Sequence, residues 1–142
     1  FTTMYDGSGE HNSLLSNLYG KDTKDIRTLG CYGKRQSANY DYSAIFTAQN
    51  LMHKNLDTLK KLMIVVSDGA PCGSVDGMSS EEATKLSVDQ TRKSGIEVVQ
   101  IAIDSIEDSQ LMFGSKNSIK FTDMSTLAKD MRKFVMRYIK KA

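Results

Sequence analysis

The sequence predicts an α/β fold, a mostly parallel sheet with helices on both faces. Three observations predict it. Short apolar runs that stop at an acidic residue, residues 62–66 and 96–103, alternate with stretches of helical period. The elements come in the order helix, strand, helix, strand, strand, helix, and strands joined through helices pair in parallel. The last helix carries a single apolar stripe, as a helix laid against a sheet must.

Each element has its own signal. Residues 1–5 read as a short strand, closed by the turn string Asp6-Gly7-Ser8-Gly9. Leu14, Leu15 and Leu18 fall on one helical turn that ends at Gly20, and residues 21–38 show no period. Residues 43–56 read as a helix, with Ala44, Ile45, Ala48, Leu51 and Met52 at helical spacing. The run Leu62-Met63-Ile64-Val65-Val66 is continuous and apolar, so it reads as a strand buried on both faces. It stops at Ser67-Asp68-Gly69, and Pro71, Gly73 and Gly77 make the next loop. Ser79 and Glu82 have capping-box spacing. Their helix runs to Ser94 and stops at Gly95, a C-terminal cap signal. Residues 96–103 form the second strand, ending at Asp104, and residues 119–121 a third. Thr122 or Asp123 caps the last helix, whose stripe is Leu127, Ala128, Met131, Phe134, Val135, Tyr138 and Ile139. The eight methionines read as core filler on apolar helix faces. No repeat and no low-complexity linker interrupts the chain.

Composition bounds the function. A length of 142 residues suits one domain with a buried core, and 39% hydrophobic with 25% charged residues is a soluble globular mixture. The formal net charge is only +2 and the basic residues are spread out, which argues against nucleic acid as a partner. The densest basic run, residues 132–141, suits the C-terminal end of a helix. No apolar run is long enough to span a bilayer and no signal peptide is present, so no membrane role and a cytoplasmic location are expected. Cys31 and Cys72 form no CxxC or Cys/His pattern and read as free thiols. The chain opens on Phe1, in what reads as the end of a strand, so residues 1–142 are expected to be one domain cut from the C-terminal part of a longer protein.

Ligands of open parallel sheets bind beyond the carboxyl ends of the strands. Asp68 stands there, and Gly69 after it lets the backbone turn tightly. A carboxylate so placed can hold a hard cation such as Mg²⁺, directly or through water, or it can merely cap its loop. His11 and His53 lack partners at ligand spacing and read as surface residues. Cys72 reads as an inert loop cysteine. No P-loop and no Gly-x-Ser-x-Gly elbow occurs.

The string Leu-Met-Ile-Val-Val-Ser-Asp-Gly-Ala-Pro, residues 62–71, resembles the strand and metal-site loop of von Willebrand factor A (VWA) domains. The closest likeness is to the C-terminal domain of CobT-type cobaltochelatase subunits and to the related domain of NorD-type nitric oxide reductase activation proteins. Phe1-Thr2-Thr3 is similar to the end of that family's second strand. Residues 39–45 resemble its loop into the next helix, residues 95–103 its following strand, and residues 119–139 its last strand and helix. The resemblance implies a Rossmann-like VWA domain that lacks the family's first strand. It also implies a metal-ion-dependent adhesion site built from three loops: an Asp-x-Ser-x-Ser string, a Thr or equivalent, and an Asp. Asp68 matches the third loop. Asn39 stands where the second-loop Thr usually sits and Asp41 lies two residues on, so the second ligand is Asn39 or Asp41. Asp6-Gly7-Ser8-Gly9-Glu10 imitates the first loop, but it ends in Glu and lies too near Asn39, so it reads as a turn. The metal site is therefore expected to be incomplete in this chain.

The resemblance implies that the chain is a metal-dependent protein–protein interaction module rather than an enzyme. It would use Mg²⁺, with Mn²⁺ as a substitute, to meet a carboxylate of a protein partner. By resemblance that partner is an AAA+ ATPase of a metal-insertion or enzyme-activation system. The alternative is a small Mg²⁺-dependent phosphohydrolase using Asp68, with Asp104 as a second carboxylate. A third reading is a scaffold with no metal. Loss of a central strand would also leave a sheet edge open to pairing with another chain, which predicts an oligomer.

Overall fold

The structure, a computed structural model, describes residues 2–5, 11–14, 40–104 and 106–140. Within them five strands and four helices occur in order: β1 (Thr2–Tyr5), β2 (His11–Leu14), α1 (Asp41–Asn55), β3 (Lys61–Ser67), α2 (Ser80–Lys93), β4 (Ile96–Ala102), α3 (Ile106–Phe113), β5 (Ser118–Lys120) and α4 (Met124–Lys140). β1 and β2 pair antiparallel in a sheet of their own. Leu14 closes β2, so it does not belong to the helical turn that its spacing to Leu15 and Leu18 predicts; those two leucines lie outside the described residues.

β3, β4 and β5 form a parallel sheet in that order, β3 matching β4 from Lys61↔Ile96 to Ser67↔Ala102. With helices on both faces, this is the Rossmann-like α/β architecture that the element order predicts. On one face Ile45 and Ala48 of α1, Val88 of α2 and Met112 and Phe113 of α3 pack on Met63, Ile96 and Val98. On the other, Phe134, Leu127, Met131 and Val135 of α4 pack on Val99, Ile119 and Leu62. Residues that alternate along each strand thus feed two separate cores.

Local chemistry explains where the helices start and stop. Ser79 accepts from the Glu82 amide at 3.2 Å and the Glu82 carboxylate accepts from the Ser79 amide at 3.0 Å, the capping box that the spacing predicts. Gly95, with φ +89°, ends α2 where a side chain would be strained. Asp123 caps α4, accepting from the amides of Ser125 and Thr126, each at 2.9 Å.

Three further expectations need correction. β3 is not buried on both faces: Ile64 is 45% and Val66 60% exposed. α4 covers its own half of that face, over β4, β5 and Leu62, and among the described residues no strand pairs with the outer edge of β3. The second is α3, which periodicity does not reveal because it has only two turns, three of its residues buried. Its acidic first turn, Glu107 and Asp108, and its stop at Gly114, φ +85°, are nevertheless legible signals. The methionines divide: Met63 and Met112 are core residues, whereas Met124 and Met136 are exposed. Among the described residues no helix is long and apolar enough to cross a membrane.

Candidate functional site

The site is built at the carboxyl ends of β3 and β4. β3 delivers Ser67 into the interior and Asp68 into solvent, because successive side chains point to opposite sides of a strand. The ladder runs one step past the strands: the Ile103 amide donates to the Ser67 carbonyl at 2.9 Å. Gly69 then turns at φ +83°, and its amide donates to Ser67 Oγ at 3.3 Å. The Asp68 carboxylate accepts from the Ala70 amide through Oδ1, at 3.1 Å. This bond sets the direction of the carboxylate at the sheet edge while leaving it exposed.

The rest of the loop is fastened to the start of α1. Pro71 is buried. Gly73, at φ +88°, lies so close to Tyr40 that a Cβ there would stand 2.5 Å from the ring. Tyr40 is itself buried and meets the Tyr42 ring edge-on, with centroids 6.2 Å apart. Burial raises the Tyr42 hydroxyl above its ordinary pKa, with the neighbouring Tyr40 adding to the rise. Asp41 lies between the two tyrosines in sequence, in the first turn of α1, and is only 5% exposed. A carboxylate suits that helix end, where the free amides carry positive partial charge. The loop after Asp68 and the helix turn that holds Asp41 are thereby packed together through Gly73 and Tyr40.

Of the three predicted ligands, then, Asp68 is exposed at the strand end and Asp41 is buried in the adjoining helix turn. Asn39 lies outside the described residues, as do Cys31 and the string from Asp6 to Glu10. Cys72 is a free, exposed thiol in the same loop as Asp68. His53 is exposed on α1, its Nε2 3.0 Å from Ser94 Oγ.

The donors here suit a hard cation, since carboxylate, hydroxyl and peptide oxygens are what Mg²⁺ takes. Among the described residues no three His, Cys, Asp or Glu side chains gather in one metal-sized group. Asp68 and Asp104 lie just past the ends of neighbouring strands, but Asp123 is engaged in the cap of α4. The described residues thus offer one exposed carboxylate at the end of β3, Asp68, and a second, Asp104, past the end of β4.

Two residues of the site are not singled out by the sequence pattern, Ser67 and Gln100. Gln100 is fully buried in β4 and donates from Nε2 to Ser67 Oγ at 2.6 Å. A signal is present even so: Gln100 is a polar residue inside the apolar run of residues 96–103. Comparison of the chain with protein-family models, with curated proteins and with solved structures finds no match.

Proposed function

We propose that the chain is a metal-dependent protein–protein interaction module of the VWA type, with Asp68 as its principal metal-binding side chain. The observation that carries this reading is the placement of Asp68. Its carboxylate is exposed at the carboxyl end of a parallel strand and oriented by the Ala70 amide, in a loop packed against the turn that holds Asp41. Asp41, with Asn39 before it, is the second candidate ligand. A bound Mg²⁺ or Mn²⁺ would supply an open coordination position able to take a carboxylate of the partner. The chain's own part is to hold Asp68 at the rim and to keep the Asp41 turn against the loop. By resemblance the partner is an AAA+ ATPase that acts in metal insertion or enzyme activation. A phosphohydrolase reading has less support, because among the described residues no cluster of three His, Cys, Asp or Glu side chains supplies a general base beside Asp68 and Asp104.

Calorimetric titration of Mg²⁺ and Mn²⁺ into the wild-type chain and an Asp68→Ala variant tests the proposal. The expected result is weak but saturable binding in the wild type, as a site lacking its first loop would give, and a clear loss of it in Asp68→Ala. Equal binding by the two, or none by the wild type, overturns it.

A further inference from the structure

We propose that Gln100 is a positioning residue for the Asp68 loop, acting through the Ser67 hydroxyl. The inference rests on the reading of Asp68 as a metal-binding side chain, but it can be tested apart from that reading. β4 is otherwise lined mainly with isoleucine, valine and alanine, and Gln100 is 0% exposed among them. An amide in that place is stripped of water. Its Nε2 donates to Ser67 Oγ at 2.6 Å, while Oε1 has no hydrogen-bond partner among the described residues. An unpartnered buried polar atom opposes folding. An apolar residue of the same length would fill the space without that penalty, so packing alone does not account for Gln100.

The amide has a geometric effect on the site. Gln100 pairs with Val65 and Ala102 with Ser67, so Gln100 and Ser67 point to the same face one step apart. Ser67 Oγ accepts from Gln100 Nε2 and also from the Gly69 amide, at 3.3 Å. A hydroxyl oxygen has two acceptor sites, and both are then taken. Ser67 is accordingly a pivot: its Oγ fixes the Gly69 amide one residue beyond Asp68. Gln100 holds that pivot from the interior. Removing the amide frees Oγ to rotate, releases Gly69, and lets the Asp68 carboxylate swing at the sheet edge. The indirect partners that orient a metal's ligands typically change its affinity by about 10–100-fold.

The test uses the 142-residue chain with Gln100→Met, which keeps length without hydrogen bonding, Gln100→Leu as a second apolar variant, Ser67→Ala, and the Gln100→Met/Ser67→Ala pair. Three quantities are read: the thermal unfolding midpoint, amide exchange at Gly69 and Val99 without metal, and the affinity for Mn²⁺ alone. The expected result is an unfolding midpoint at or above wild type in at least one apolar variant. Exchange rises about tenfold at Gly69 and stays unchanged at Val99, Mn²⁺ binding weakens at least about tenfold, and the double variant is no weaker than Ser67→Ala. Unchanged Gly69 exchange overturns the inference. So does a general rise that includes Val99, or additive losses in the double variant. Wild-type protein that takes up no Mn²⁺, yet shows the Gly69 effect in Gln100→Met, refutes the metal reading and leaves the positioning role standing.

Discussion

Arg92 shows how much one side chain does in this fold. It leaves the last turn of α2 and its Nη2 donates to the carbonyls of Val98 and Phe113, each at 2.8 Å. One guanidinium thus ties helix α2, the middle strand and the end of α3. Burial lowers its pKa from the usual arginine value, opposed by the charges of Glu97 and Asp89, yet the group stays ionised. Arg92→Met removes the charged donor from both carbonyls. The expected loss is about 2–4 kcal/mol of stability, from hydrogen bonds to a charged group. Arg92→Lys recovers only part of it, because an ammonium on a flexible stem lacks the planar fork. Urea unfolding of the three proteins checks the order; equal midpoints would show that the bonds contribute nothing net.

At the scale of elements, the starts of α2 and α4 are set by chemistry confined to four residues. Asp123 is the densest example. Bonds from the Ser125 hydroxyl, then the Thr126 amide and hydroxyl, hold its carboxyl well below the usual carboxylate range. A carboxyl whose folded pKa is depressed stabilises the fold at pH above its unfolded value of about 3.9, and that contribution is lost as pH falls from there toward the folded pKa. Asp123→Ala is therefore expected to unfold at lower urea than wild type at pH 7. The gap between the two should close as the pH is lowered from about 4 toward 2. A gap independent of pH would mean that the Asp123 charge plays no part in the cap. By contrast α1 starts at Tyr40 with no side-chain cap, and its first turn is held by packing of Tyr40 against Gly73. The start of α1 is thus coupled to the loop of the candidate site, whereas the starts of α2 and α4 are self-contained.

At the scale of the molecule, the two faces of the sheet are unequal. Three helices cover one face, and the other has α4, which leaves Ile64 and Val66 open on β3. Identical substitutions on the two strands should then differ. Ile96→Ala, at a position with 0% exposure, is expected to cost about 2–5 kcal/mol, since it removes most of a buried side chain and leaves a cavity. Ile64→Ala, at 45% exposure, is expected to cost about 1 kcal/mol, the partial transfer term with no closed cavity. Equal losses in chemical unfolding would show that the β3 face is covered in solution. The same asymmetry places exposed aliphatic residues, Val66 and Ile103, beside the exposed carboxylates Asp68 and Asp104 at one end of the sheet.

The class of fold, the order of its main elements and the strand-end aspartate are legible in the amino-acid order alone. These rest on signals within a few residues: the apolar runs of β3 and β4, the Ser79–Glu82 box, Gly95, Asp123 and the stripe of α4. Periodicity reports only that a residue is apolar, and it cannot say which neighbour covers it. That Ile64 and Val66 face outward was therefore decided by the lateral placement of α4, which no pattern within β3 encodes. The short α3 escapes periodicity for a related reason, two turns being too few for a period to emerge. In the candidate site Asp68 is legible from its strand end, whereas Asp41 enters only through the resemblance of residues 39–45 to a known loop. The links from Gln100 to Ser67, 33 residues apart, and from Gly73 to Tyr40 are not legible in the sequence. Such contacts form only when the chain's parallel crossovers bring distant segments side by side, so the tertiary structure alone decided which side chains hold the Asp68 loop.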